Sequence, residues 1–313
     1  MIKILITDTH YGIKQNSITW LNSQCDFIEK QLIPYIKNLH QEVQLIHLGD
    51  VFDSRSTIST LVASRIVKLF SSLRDVVSEF IIIDGNHDYY SPNSDEVDTL
   101  SLILGNLDIN IINRNILIKG SDMFVPWYQW DPIKIQKRIN KGNIKNIFTH
   151  ADIVTDGCPI TGCNIYSGHI HIPYINGYIR NLGSCYALNF GDSNSERGFY
   201  KLDNDNLEFI PNKYSIKFYR IYNDEIFENR EFNNNDYIEI YIDDNKMSIS
   251  KYNDKLSYYT KKYKNIRIIP NKTDIGDIDC ESLGNYDLTT IIKSLIPKDL
   301  KDKFKIIEDR AEY

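Results

Sequence analysis

Apolar and polar positions divide the chain into stretches of two different periods. An apolar run at residues 2–7 (IKILIT) stops at Asp8, the pattern of a buried strand whose C-terminal tip carries Asp8 to His10. Ile18, Leu21, Phe27, Ile28, Leu32, Tyr35, Ile36 and Leu39 then recur near helical spacing over 17–39, and 43–48 (VQLIHL) returns to a strand that ends at Gly49 and Asp50. A helix is predicted over 60–73, a strand over 79–83 (EFIII) ending at Asp84 to Asp88, and another over 144–148 that stops at Thr149 and His150. Short strands follow at 164–166, 178–181, 198–202 and 207–210, with few helices between them.

Strand and helix alternating first, then a meander, describe an α/β sheet sandwich whose strand ends collect at one place. After about Pro211 the character changes. Residues 223–273 are rich in Asn, Asp, Tyr and Lys and hold a strand at 237–242 (YIEIYI), a helix at 251–262 and a strand at 265–269, which together read as a small α/β module. Beyond Asp287, Leu288, Ile291, Ile292, Leu295, Ile296, Leu300, Phe304 and Ile307 fall near helical spacing, and Pro297 divides them into two short amphipathic helices. The organisation expected is a main domain at 1–222, a small module at 223–280 and a helical segment at 281–313. Neither an internal repeat nor a long low-complexity tract interrupts it.

A chain of 313 residues with 42% hydrophobic content can bury a proper core. No apolar run approaches the roughly 20 residues that cross a bilayer, and the first residues lack the features of a secretion signal, so a soluble protein is expected. Cys25, Cys158, Cys163, Cys185 and Cys280 are scattered and form no C-x-x-C pair, which argues against a disulfide framework or thiolate zinc site and for a reducing cytoplasm. The abundance of Asn, Ile, Lys and Tyr suits an AT-rich coding genome such as that of a phage, where the cytoplasm is the host's. A net charge of −6 opposes a uniformly DNA-coated surface, although the charge that decides binding is local.

The chemistry sits at the strand ends. In chain order these are Asp8-Thr9-His10, Gly49-Asp50-Val51-Phe52-Asp53, Gly85-Asn86-His87-Asp88, Thr149-His150 and Gly168-His169-Ile170-His171. Any one of them could be a turn, and lone histidines such as His40 and His47 read as solvated or hydrogen-bonded residues. Together they offer carboxylates, an amide oxygen and several imidazoles, a mixed nitrogen and oxygen set that suits manganese, iron or zinc. A carboxylate can bridge two cations, and Asp50 is the natural bridge. Two cations held this way would activate a water and clamp a phosphate, so the implied reaction is hydrolysis of a phosphate ester. His87, not needed as a ligand, is the candidate general acid.

These motifs resemble the calcineurin-like metallophosphoesterase superfamily. The resemblance implies an α/β fold, a β-sandwich flanked by helices (αββα), with a small α/β cap-like module and C-terminal helices. It makes Asp8, His10, Asp50 and His171 ligands of one divalent metal, and Asp50, Asn86, His150 and His169 ligands of a second. Asp8-Thr9-His10-Tyr11-Gly12, Gly49-Asp50-Val51-Phe52-Asp53-Ser54-Arg55 and residues 179–200 (IRNLGSCYALNFGDSNSERGFY) are similar to the nuclease subunits of SbcCD-type complexes, and among them to those of T-even-like phages. Cellular members of that branch carry His where this chain has Asp53. An orienting role for the Asp53 carboxylate toward His87 is therefore expected.

The resemblance further implies manganese-dependent cleavage of DNA ends and of single-stranded DNA, a homodimer, and an SMC-like ATPase partner docked on the helices after Asp287. The same apolar stripe could instead pack on its own domain. Lys134, Lys137, Arg138, Lys141 and Lys145, at spacings of three and four, would share one helix face; with Arg55 they are the candidate DNA contacts, or else a solvated surface. Lys261 to Arg267, with Tyr258, Tyr259 and Tyr263 nearby, mixes cations with stackable rings. Two other readings stand beside the nuclease: a phosphatase or nucleotide hydrolase of the same superfamily, and a non-catalytic DNA-binding scaffold. The phosphatase motif Gly-Asp-x-x-Asp-Arg-Gly is broken here by Ser54 between Asp53 and Arg55.

Overall fold

A computed structural model describes residues 1–91, 94–155, 158–193, 195–222, 225, 230–243 and 249–271. The helical segment expected at 281–313 lies outside the described residues.

Two six-stranded sheets face each other. The first runs in the order Asn206–Pro211, Gly198–Asp203, Ile2–Ile6, Val43–His47, Glu79–Ile83, Asn110–Ile112, and the second in the order Tyr174–Asn176, Ile179–Asn181, Asn164–Ser167, Asn146–Thr149, Asp122–Val125, Leu117–Lys119. The four strands from Ile2–Ile6 to Asn110–Ile112 pair in parallel, as do Ile179–Asn181 through Asp122–Val125. Parallel pairing puts the C-terminal ends of these strands on one rim.

Period-two alternation decides which residues face which layer. Leu5, Ile46, Leu48, Ile81 and Ile83 point between the sheets and meet Phe124, Phe148, Tyr166 and Leu182. Ile4, Ile6, Leu45, Phe80 and Ile82 point the other way, against helices Ile18–Phe27 and Thr60–Arg74. On the outer face of the second sheet, Met123, Val125, Ile147 and Ile165 pack on Ile135 and Ile139 of helix Pro132–Ile139. The layers are thus helix, sheet, sheet, helix, as expected from the sequence.

The long helical stretch predicted at 17–39 forms in three pieces: an α-helix Ile18–Phe27, a π-helical turn Ile28–Leu32 and an α-helix Ile33–Asn38. Pro34 has no N–H to give, and the wider turn before it keeps the axis running past the missing bond. The basic helix face fares differently. Helix Pro132–Ile139 ends ahead of Asn140, Gly142 and Asn143, residues that favour a stop, so Lys134, Lys137 and Arg138 lie on it while Lys141 and Lys145 do not.

A third sheet of three parallel strands, Phe218–Tyr222, Tyr237–Asp243 and Asn265–Asn271, is covered by helix Ile249–Lys262. Its first strand precedes residue 223, so pairing ties the small module to residues grouped above with the main domain. Trp20 Nε1 donates to the Tyr237 hydroxyl at 3.3 Å and Phe218 stacks on Tyr237 at 4.9 Å, which seats this sheet on the first helix layer. No helix among the described residues is long and apolar enough to cross a membrane.

Candidate metal centre

The five sequence clusters meet at the rim where the parallel strands end. Asp8 and His10 follow strand Ile2–Ile6, Asp50 follows Val43–His47, His150 follows Asn146–Thr149, and His169 and His171 follow Asn164–Ser167. Each chain segment turns sharply there. Asp8, His10, Asp50 and His169 all adopt left-handed backbone, with φ of 51°, 44°, 53° and 74°. Asp and His tolerate that region better than most side chains, yet a cluster of such conformations marks a functional site.

Close approach of the loops depends on glycine. A Cβ on Gly49 would lie 2.6 Å from His150 Nδ1, one on Gly168 would lie 2.6 Å from Asp8 Oδ2, and one on Gly85 would strike the Asp50 carboxylate.

Asp8 Oδ1 stands 3.8 Å from His10 Nε2, 3.7 Å from His171 Nε2 and 3.9 Å from His150 Nε2. Asp50 Oδ2 stands 3.7 Å from His10 Nε2 and 3.3 Å from His150 Nε2. Two donor groups result, Asp8 with His10 and His171, and Asp8 with Asp50 and His150. Asp8 is thus common to both groups, whereas Asp50, the expected bridge, belongs to the second and stands 3.7 Å from His10 of the first. Asn86 and His169 meet alongside, Oδ1 to Nδ1 at 2.9 Å, and the His169 amide donates to Asp8 Oδ2 at 3.2 Å.

Against this geometry, known proteins give a consistent picture. A family model described as calcineurin-like phosphoesterase matches residues 3–269. The chain belongs to that family. It is also similar to exonuclease subunit 1 of Enterobacteria phage T4, 24% identical over 233 residues that cover 67% of this chain and 68% of the phage protein.

The calcineurin-like phosphoesterase fold works with divalent metal ions, and the donors here fit them. His150 Nδ1 donates to the Leu48 carbonyl at 2.6 Å, which leaves Nε2 as the lone-pair nitrogen. That Nε2 is buried and has no hydrogen-bond partner, the state expected of a nitrogen reserved for a cation.

Charge balance says the same. Burial pushes the Asp8 and Asp50 carboxyls up, but His150 above all, with His10, overrules it and holds both below the ordinary carboxylate range. Burial opposes charge on His10 and His150 too, yet Asp53 and Asp8 raise His10 to about 10, and Asp50 and Asp8 raise His150 to about 9. Without metal, protons on these imidazoles supply the positive charge that the carboxylates require. Burial lowers His169 and His171, so both are ready as neutral donors.

His87 is half-buried beside this centre, its ring 5.1 Å from that of His10. Nδ1 meets the main-chain carbonyl of Asp53 at 2.6 Å, and a carbonyl can only accept, so Nδ1 carries a proton. Orientation of His87 thus comes from the backbone of Asp53. Its carboxylate stands instead 3.5 Å from His10 Nδ1. Arg55 is half-buried on the same loop, Lys134, Lys137, Arg138 and Lys141 are exposed, and none of them belongs to the donor groups.

Several supports were not anticipated from sequence. Asp88 is fully buried and accepts from four amides: Asp50 at 2.9 Å, Gly85 at 2.8 Å, Val51 at 3.0 Å and Phe52 at 3.3 Å. His47 is buried, bonded to the Thr9 hydroxyl at 2.9 Å and the Gly49 amide at 3.2 Å. Arg197 donates to the His171 carbonyl and to Asp192 at 3.0 Å, while Asn181 Nδ2 donates to the Ile170 and Ile172 carbonyls at 2.6 and 2.9 Å.

Proposed function

We propose that this calcineurin-like phosphoesterase is a two-metal DNA nuclease, acting as an exonuclease on duplex ends and an endonuclease on single strands, as the nuclease subunit of an SbcCD-like complex. The observation that carries the reading is the convergence of Asp8, His10, Asp50, His150 and His171 on shared points, with Asn86 and His169 alongside and His87 left outside the donor groups. Asp8, His10, Asp50 and His171 would hold one ion, and Asp50, Asn86, His150 and His169 the other, with Asp8 close enough to touch both. When bound, such ions lower the pKa of a water and neutralise the phosphate, and the mixed nitrogen and oxygen donors favour manganese.

The protein's own part follows from its geometry. Donation from Nδ1 to the Asp53 carbonyl orients the His87 ring and leaves Nε2 as the nitrogen that passes a proton to the leaving oxygen. Asp53 holds His10 through its carboxylate and His87 through its carbonyl, which couples ligand and acid in one residue. The likeness to a phage exonuclease subunit supports DNA as substrate. In this reading the small sheet at 218–271 caps the substrate, Arg55, Lys134, Lys137, Arg138 and Lys141 are the candidate DNA contacts, two copies form a homodimer, and residues 281–313 receive an SMC-like ATPase.

The test is end-labelled duplex DNA against p-nitrophenyl phosphate, each in manganese, magnesium or chelator, with wild type and His87→Ala. DNA degradation that needs manganese and falls by about 100-fold or more in the variant, with metal binding kept, is expected of a lost general acid. Turnover of the small ester without cleavage of DNA would refute the nuclease in favour of a phosphatase, and full activity in His87→Ala would remove its role.

A further inference from the structure

Beside the metal centre lies a groove of about 590 Å³ that the reaction just described does not use. Its lining includes Trp127, Tyr128 and Trp130 together with Ala151, Asp152 and Pro159. Trp127 is where the groove borders the centre. The Trp127 ring is 4.9 Å from that of His169 and 5.9 Å from that of His150, and Ala151 follows His150 in the chain.

Its walls are fixed before any ligand arrives. The Trp127 amide donates to Asp84 Oδ1 at 2.7 Å, and the fully buried Asp84 is also bonded by the Tyr89 hydroxyl. Tyr128 packs edge-on against Tyr89 at 4.7 Å and its hydroxyl donates to the Ser91 carbonyl at 3.1 Å. A rigid aromatic wall of this kind loses little entropy when a flat ring stacks on it.

Charge selects the occupant. Among the described residues that line the groove, the one charged side chain is Asp152, a carboxylate. No lysine or arginine is there to hold a phosphate, and Asp152 repels one. The volume is that of a pocket for a small molecule, so it admits an unpaired nucleotide and excludes a duplex.

We propose that this groove is a stacking site for an unpaired nucleobase of the DNA strand whose phosphate lies at the metal centre. It rests on the nuclease reading above and deepens it: the enzyme grips one splayed base next to the bond it cuts, and Trp130 sets affinity for the strand without taking part in bond cleavage. Base-on-aromatic stacking contributes about 1–3 kcal/mol per base, a factor of about 5 to 150.

The experiment is a cycle on the full-length protein in manganese. Wild type, Trp130→Leu and Trp130→Phe each cleave a short oligothymidylate and an oligomer of equal length built from abasic nucleotides. In Trp130→Leu, KM for oligothymidylate is expected to rise about 5- to 150-fold with kcat little changed. Trp130→Phe, which keeps a ring, recovers most of the affinity. The abasic oligomer shows the same raised KM with wild type, and no further rise with Trp130→Leu. Manganese binding, titrated in parallel, is the same in all three proteins, which separates the effect from misfolding.

Equal KM for oligothymidylate in wild type and Trp130→Leu would overturn the proposal and leave the groove to an aromatic side chain of a protein partner. So would an abasic oligomer that wild type cleaves as well as oligothymidylate. If wild type hydrolyses p-nitrophenyl phosphate and cuts neither oligomer, the nuclease reading fails first and this site falls with it.

Discussion

Asp88→Asn isolates what holds the Asp50 loop in place. Asp88 gives one carboxylate oxygen to the amides of Asp50 and Gly85 and the other to those of Val51 and Phe52. An asparagine can turn only one oxygen toward them, so whichever way it flips, two buried N–H groups lose their acceptor and face an NH2. An unsatisfied buried donor costs about 1–3 kcal/mol, so while Asp88 is ionised these hydrogen bonds alone set a loss of about 2–6 kcal/mol against a typical total stability of about 5–15.

A second effect opposes the first and has its own pH signature. Burial, and next the Asp50 charge, push the Asp88 carboxyl up to about 7. Its unfolded value lies near 3.9, so between about pH 4 and 7 the folded chain holds an extra proton there, and wild-type stability falls through this group as pH rises. Asparagine has no such slope. The stability gap between wild type and variant should therefore be larger at pH 5 than at pH 8, where loss of the charge relieves its repulsion with Asp50. Denaturant unfolding in chelator at the two pH values measures the gap, and a manganese titration should show about 10- to 100-fold weaker binding, as for other residues that orient ligands. An unchanged midpoint, or a gap that widens toward alkaline pH, would refute the reasoning.

Two further outcomes follow from the centre. His10 and His150 are raised to about 10 and about 9 in the folded, metal-free chain, so their contribution to stability is fully present below about pH 6.5 and is lost as pH climbs through 9 and 10; chelated protein should weaken over that alkaline range, and manganese added near pH 7 should release protons into a weakly buffered solution, absence of release counting against the paired charges. Arg197 is 3% exposed and tethers the His171 carbonyl while paired with Asp192, so Arg197→Met, which leaves Asp192 buried without its partner, should lower stability by about 3–5 kcal/mol and weaken manganese binding, both read from melts with and without metal; a variant that binds metal normally would show that His171 needs no such tether.

That these residues would converge was legible in the sequence, because each sits where an apolar strand run stops and parallel strands stop on one rim. The same logic found the long helices, whose periodicity spans several turns. It missed strands Asn110–Ile112, Leu117–Lys119 and Asp122–Val125, which at three or four residues are too short to show a period. Asp88 escaped for another reason. Its partners are four main-chain amides, and no residue type announces where an amide will be. Asp53 shows the limit from the other side: its identity suggested a carboxylate contact to His87, whereas the fold uses its carbonyl for that and its carboxylate for His10. Trp127 lies in a stretch with no pattern, and only folding brings it onto His169.

Four left-handed residues in the metal-binding loops, at about 1 kcal/mol or more each, amount to a strain comparable with a large part of a domain's net stability. Such strain persists only if bonds elsewhere forbid relaxation, and here the bonds can be named. Asp88 closes the Asp50 loop, the Asp8 amide is bonded to Gly49 at 3.0 Å and the His10 amide to Asp50 at 3.1 Å, and the tethers of Arg197 and Asn181 fix the loop of His169 and His171. The two carboxylate-bearing loops thus hold each other by main-chain bonds, independently of what their side chains bind. Their side chains arrive preset, with positive charge already demanded by Asp8 and Asp50. A divalent ion held here would take the place of the protons on His10 and His150, and the side chains that would hold it are gathered before it arrives.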